Sequence, residues 1–148
     1  MPTFNRYLNG IIRSEHIVEG VVEKTLKFTF DGTSLTTGAK TLTAADGTAL
    51  TIPSGSHLKA FYVEVTDAFT SSGSATIALG HTGSASSIMA ATAFDDAELV
   101  LATAGWRFCA TGGAAAGGVG GDLLLTIAGA ALTAGTCNVY LTYQENIA

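Results

Sequence analysis

The sequence predicts an all-β fold, and three observations carry that expectation. Apolar residues recur with a period of two in several separate stretches, as half-buried strands require because successive side chains point to opposite faces. Turn signals interrupt those stretches roughly every 8–12 residues, the rhythm of a sandwich or barrel. The 148 residues give room for one domain with a real hydrophobic core. The expected architecture is therefore a single antiparallel β-sandwich or jelly-roll-like domain over residues 21–148. An N-terminal arm or irregular segment, residues 1–20, precedes it.

The elements follow in order. In the first segment Phe4, Tyr7, Leu8, Ile11 and Ile12 are apolar anchors without a clean period, interrupted by Asn9-Gly10. An extended arm packed on a neighbouring surface is favoured over a weak helical pattern at 11–19. From Val21 the alternation is plain. In VVEKTLKFTF, Val22, Leu26, Phe28 and Phe30 share one face, while Glu23, Thr25, Lys27 and Thr29 share the other. Lys24 is the one breach of the apolar face, and Asp31-Gly32 supplies the turn.

Shorter strands are expected at 39–43 and 48–52, on either side of Asp46-Gly47. Pro53 lacks a ladder donor and restricts Ile52, so it is read as ending that strand or marking an edge. Over 57–67, Phe61, Val63 and Val65 point inward and Tyr62, Glu64 and Thr66 outward. Further core faces are Ala75, Ile77 and Leu79, then Leu123, Leu125 and Ile127, and finally Cys137, Val139, Leu141 and Tyr143. Burying each large side chain contributes roughly 1.5–3 kcal/mol. The alanine-rich stretch 84–104 reads as a long crossover loop with a helical turn near 87–93. Such a connection suits a Greek key or jelly roll better than a meander.

Composition bounds the function. Charged residues make up 13% of the chain and hydrophobic ones 47%, with 18 glycines. That is about half the usual charged share of roughly 25%. So few charges cover a free monomer's surface poorly, and part of the surface is expected to be buried against copies of the chain or a larger assembly. Net charge is −5, yet four of the seven cations (Arg6, Arg13, Lys24, Lys27) fall in the first 27 residues. Beyond Lys59 only Arg107 is basic, against Glu64, Asp67, Asp95, Asp96, Glu98, Asp122 and Glu145. An acidic body repels phosphate, which argues against nucleic acid as a partner. No stretch approaches the ~18 apolar residues of a membrane helix, and no secretory h-region is evident. Cys109 and Cys137 form no CxxC pair and are read as two free, buried thiols rather than a disulfide.

Motifs that would carry chemistry are missing. His16, His57 and His81 are scattered and form neither HxH nor HExxH. Asp95-Asp96-Ala97-Glu98 lacks the regular oxygen ligands of a calcium loop and reads as a solvated loop. The run GGAAAGGVGG at 112–121 matches no phosphate-loop pattern, and its next charge, Asp122, has the wrong sign. It reads as a hairpin tip or as a flat glycine surface permitting close subunit approach. GxSxG does not occur. AFTSSGSATIALGHTG, residues 68–83, looks like a loop rich in catalytic side chains, but it resolves into a turn, a core face and a second turn. No enzyme, cofactor or metal is expected. Trp106 and Phe108, two apart in WRFCAT, read as core aromatics in preference to a contact surface.

Residues 50–92 resemble a pattern found in small structural proteins of tailed-phage virions. The resemblance rests on the edge turn Ile52-Pro53-Ser54-Gly55, the alternating strand VEVTDAF at 63–69, the Ser/Gly turn, and ATIALG at 75–80. The final strand, in TCNVYLTYQENIA, is similar in style. It does not extend to residues 1–20, whose role rests on composition alone. The resemblance implies a β-sandwich subunit, oligomeric, that serves as a capsid decoration (cement) protein on the virion exterior after assembly in the host cytoplasm. Its partners would be the major capsid protein and other copies of itself, as a homotrimer; composition alone, not the resemblance, makes Phe4, Arg6, Tyr7 and Arg13 the expected contacts. The alternative is a head fibre or tail appendage binding a receptor or glycan through Tyr62, Trp106 and Tyr140.

Overall fold

The computed structural model describes residues 4–8, 11–18, 21–44, 46–96, 106–109 and 119–146, with side chains over 21–44, 46–96 and 120–145. Every element among them is a strand, and every pairing is antiparallel. The strands are β1 (Phe4–Leu8), β2 (Ile11–Val18), β3 (Val21–Asp31), β4 (Gly38–Thr41) and β5 (Thr51–Ser71). They continue as β6 (Thr76–His81), β7 (Ser84–Ala93), β8 (Trp106–Cys109), β9 (Val119–Ala128) and β10 (Leu132–Asn146). Hydrogen bonding runs in the order β1-β2-β3-β10-β5-β9-β6-β7, with β4 on β9 and β8 on β5.

The expected all-β sandwich is what forms. One layer holds β1, β2, β3, β10, β5 and β8. The other holds β4, β9, β6 and β7. The predicted inward residues meet between them: Phe61 and Leu141 are fully buried, and Leu26, Phe28, Val63, Ile77, Leu79, Leu125, Ile127 and Val139 join the same core. Packing is tight. A void of about 10 Å³ remains among Val63, Phe69, Ile77, Leu79, Met89, Leu125, Cys137 and Val139. Period-two burial is the physical reason the sequence was readable here: each strand keeps one face for the core.

β5 joins the layers. Its first residues pair with β9 (Thr51 opposite Asp122, Ile52 opposite Gly121), and from His57 onward it pairs with β10. Pro53 therefore does not end the strand. It lies where the β5–β9 register breaks between Ile52 and Ser56, so its missing N–H interrupts no regular ladder. The end of the glycine run has an intrachain role at this corner. A Cβ on Gly120 would stand 2.6 Å from Ser54 Cα, so a side chain there would push β9 off β5.

Two other segments depart from expectation. Residues 84–93, read as loop with a helical turn, form β7, paired with β6 through two register shifts. Alanine and serine carry no strand signal, and the bulges destroy the alternation. Residues 4–8 and 11–18 are extended as expected, but as a hairpin whose second strand hydrogen-bonds to β3 within the chain. The turn at Asp46-Gly47 forms as read: Leu50 N donates to Leu42 O at 2.8 Å and Thr48 N to Asp46 Oδ1 at 2.9 Å.

Candidate interaction surface

Strand alternation that sends Phe61, Val63, Val139 and Leu141 inward sends their neighbours to the opposite face of the wider layer. Register then lines those neighbours up in rows. Lys27 stands opposite Tyr140, and Tyr140 opposite Tyr62; Thr29 stands opposite Asn138, and Asn138 opposite Glu64. The backbone of β8 extends both rows, with Phe108 opposite Tyr62 and Trp106 opposite Glu64.

Polar side chains on this face hold one another. Thr29 Oγ1 donates to Asn138 Oδ1 at 2.8 Å, and Asn138 Nδ2 donates to Glu64 Oε2 at 2.9 Å. The Tyr140 hydroxyl donates to the same carboxylate oxygen at 3.2 Å. The hydroxyls of Thr25 and Thr142 lie 3.0 Å apart, and Gln144 Nε2 donates to Glu23 Oε2 at 3.3 Å. Lys27 Nζ sits 5.3 Å from the centroid of the Tyr140 ring, within cation–π range. Tyr62 is 37% exposed, the one large hydrophobic side chain exposed among the described residues. An open groove of about 360 Å³ runs between Thr25, Tyr62, Tyr140 and Thr142.

The sequence-predicted residues divide between the two flanks of this layer. Phe4, Arg6 and Tyr7 lie on β1 and Arg13 on β2, in the hairpin beyond β3. Arg6 is directly opposite Arg13, and Arg13 is opposite Leu26. Their side chains lie outside the described set, as does that of Trp106, which is placed by its backbone next to Glu64. Tyr62 and Tyr140 come together. Lys27, Glu64 and Asn138 belong to the same surface and were not singled out from the sequence. Outward alternation was the available signal, but only register between distant strands links them.

Cys137 is buried and free, and burial pushes its thiol up to about 12. The side chain of Cys109 is not among those described. His81 closes β6 with Nδ1 2.9 Å from Thr82 O. Among the described residues no three His, Cys, Asp or Glu side chains gather as a metal site, and no helix is long and apolar enough to cross a membrane.

Fold and surface together define an antiparallel β-sandwich whose wider sheet presents a hydrogen-bonded polar face with paired tyrosines. No protein-family model matches the chain, and no curated protein matches it. Among solved structures, it is similar to a chain of the acidic stable capsid structure of Helicobacter pylori bacteriophage KHP30. The TM-score is 0.51, covering 83% of this chain and 93% of that chain, at 11% sequence identity. At that identity the likeness is one of fold.

Proposed function

We propose that the chain is a non-enzymatic structural protein of a tailed-phage virion, a capsid decoration protein that binds the outer shell as an oligomer. The observation that carries the reading is the near whole-length likeness to a chain from a phage capsid. Low charge supports it, because a cement protein acts through covered area rather than through chemistry. The hairpin adds a specific reason. Two like charges directly opposite on neighbouring strands repel, and Arg6 and Arg13 occupy such a pair on β1 and β2, with Glu15 and Glu19 the two acidic residues between β1 and β3. An acidic surface on the major capsid protein, or on a neighbouring copy in a trimer, relieves that repulsion.

The test uses the full-length chain carrying Arg6→Gln and Arg13→Gln together, incubated with heads stripped of the protein and then sedimented. The expected outcome is loss of particle binding with an unchanged far-ultraviolet circular dichroism spectrum. Normal co-sedimentation of the double variant would overturn the assignment of the hairpin. Failure of the unaltered chain to bind heads would overturn the decoration role itself. A position on a head fibre or tail appendage is the second reading, and the outward pair Tyr62–Tyr140 is what favours it.

A further inference from the structure

We propose that the outer edge of β1 receives an extended acidic segment of the shell protein as an added strand, a mode of docking that rests on the decoration reading above. Sheet edges are where one chain can add a strand to another, because an edge presents N–H and C=O groups that no neighbour takes. The strand order ends on β1 and β7. β7 is poorly suited. Its pairing with β6 slips twice, and hydroxyls of its own occupy part of its backbone: Ser87 Oγ donates to Ser84 O and Thr92 Oγ1 to Ala90 O, both at 3.0 Å. β1 is regular. Its residues pair with β2 in unbroken register, and β2 pairs with β3 in the same way. Among the described residues no strand lies beyond it.

Register also says which groups of β1 face outward. Two residues separate Leu8 from Ile11, so Leu8 and Ile11 are a mutually hydrogen-bonded pair at the end of the hairpin. Bonded pairs recur at every second residue of an antiparallel ladder. Leu8, Arg6 and Phe4 therefore bond to β2, and the backbone N–H and C=O of Asn5 and Tyr7 turn to the open side. The next hairpin agrees. Val18 is opposite Val21, which assigns Val18, His16 and Ser14 to β3 and leaves Ile11, Arg13 and Glu15 for β1.

Charge then selects the occupant. Arg6 is opposite Arg13, and Arg13 is opposite Leu26, so the row offers the arginine pair no carboxylate on its inner side. A strand laid along β1 places one residue beside Arg6, one beside Phe4 and one beside Leu8. Opposite charges across strands attract and like charges repel. The fitting segment therefore has Asp or Glu at the middle of three alternating positions and apolar residues at the outer two. A second copy is the wrong occupant. Two β1 edges related by a twofold axis satisfy all the free groups of Asn5 and Tyr7 by pairing each Asn5 with the other Tyr7. That register sets Arg6 against Arg6 with Arg13 behind each, four arginines in one row.

The test separates backbone from side chain. The full-length Asn5→Pro variant lacks one outward N–H but keeps every N–H that pairs with β2, and proline is tolerated on a strand edge. On stripped heads it should bind about tenfold more weakly than the unaltered chain, at a matching melting temperature, while Asn5→Ala binds normally. Amide exchange needs no variant: in the unaltered chain, residues 4–8 should exchange more slowly on heads than free in solution. Arg6→Lys, treated on the heads with a zero-length carbodiimide, should cross-link to an Asp or Glu of the shell protein that has apolar residues two positions to either side. Should Asn5→Pro misfold, the exchange and cross-linking results decide. Normal binding of a folded Asn5→Pro, unchanged exchange over 4–8, or a cross-link to a second copy would each overturn strand addition and leave the decoration role standing. An unaltered chain that does not bind heads would overturn both.

Discussion

Lys24 and Glu145 form an ion pair at the end of the core face that β3 shares with β10, with side chains 22% and 16% exposed. It accounts for the one charge that breaches the apolar alternation of β3. The pair is half-buried, so its members depend on each other more than the fold depends on them. Lys24→Ala or Glu145→Ala should each cost about 1–2 kcal/mol. The double variant Lys24→Met/Glu145→Leu should return to near the original stability. Urea denaturation of the four proteins measures this; singles as stable as the parent would contradict it.

Cys137 gives a pH dependence. Burial raises its thiol from 9.0 to about 12. A folded-state pKa above the unfolded one means a stability contribution present in full below about pH 9 and lost as pH rises toward 12. Stability should therefore fall across that window, and Cys137→Ala should remove this part of the fall. The native thiol should also resist aromatic disulfide reagents at pH 8, because the thiolate is the reactive form. Peptide mapping separates it from Cys109; fast labelling of Cys137 in the native protein is the contrary result.

Gly135 is held where no other residue fits. Its φ is +121°, and an added Cβ would lie 2.5 Å from Phe69 Cα. Phe69 in turn meets Phe30, ring centroids 6.0 Å apart, at this end of the core. Gly135→Ala should cost about 3 kcal/mol or more from overpacking and backbone strain combined. Gly38→Ala is the comparison, with φ +116° but open space around it. It should cost about 1 kcal/mol from strain alone. Equal thermal shifts for the two would refute the packing argument.

Ser56 is 1% exposed at the β5 corner, and its hydroxyl has no hydrogen-bond partner among the described residues. An unsatisfied buried hydroxyl costs about 1–3 kcal/mol. Ser56→Ala should raise the denaturation midpoint, with a gain of about 1 kcal/mol. A loss of stability would mean the hydroxyl is satisfied.

What the sequence revealed follows what periodicity can encode. Val22, Leu26, Phe28 and Phe30 announced β3, and Leu123, Leu125 and Ile127 announced β9, because large residues return to one face with a period of two. β7 was invisible, since SASSIMAATA places only Ile88, Met89 and Thr92 in the interior, out of step with any simple period. The Asn9-Gly10 dipeptide between β1 and β2 was a hairpin signal in plain view. Leu8, Ile11 and Ile12 crowd around it without alternation, which hides the strands on either side. The outward direction of Tyr62 and Tyr140 could be read from their strands. That they face each other could not, because cross-strand register is set by residues distant in the chain.

The position of β10 between β3 and β5 decides when the molecule can come into being. β3 and β5 each keep one edge unpaired until the residues from Leu132 onward arrive, and the Lys24–Glu145 pair spans 121 positions. Closing such distant pairs delays the reward for ordering the chain, so folding should be slow and should wait for β10 to be synthesised. A ribosome-bound chain stopped before Leu132 would expose two unmatched strand edges, a state prone to aggregation rather than a smaller version of the protein.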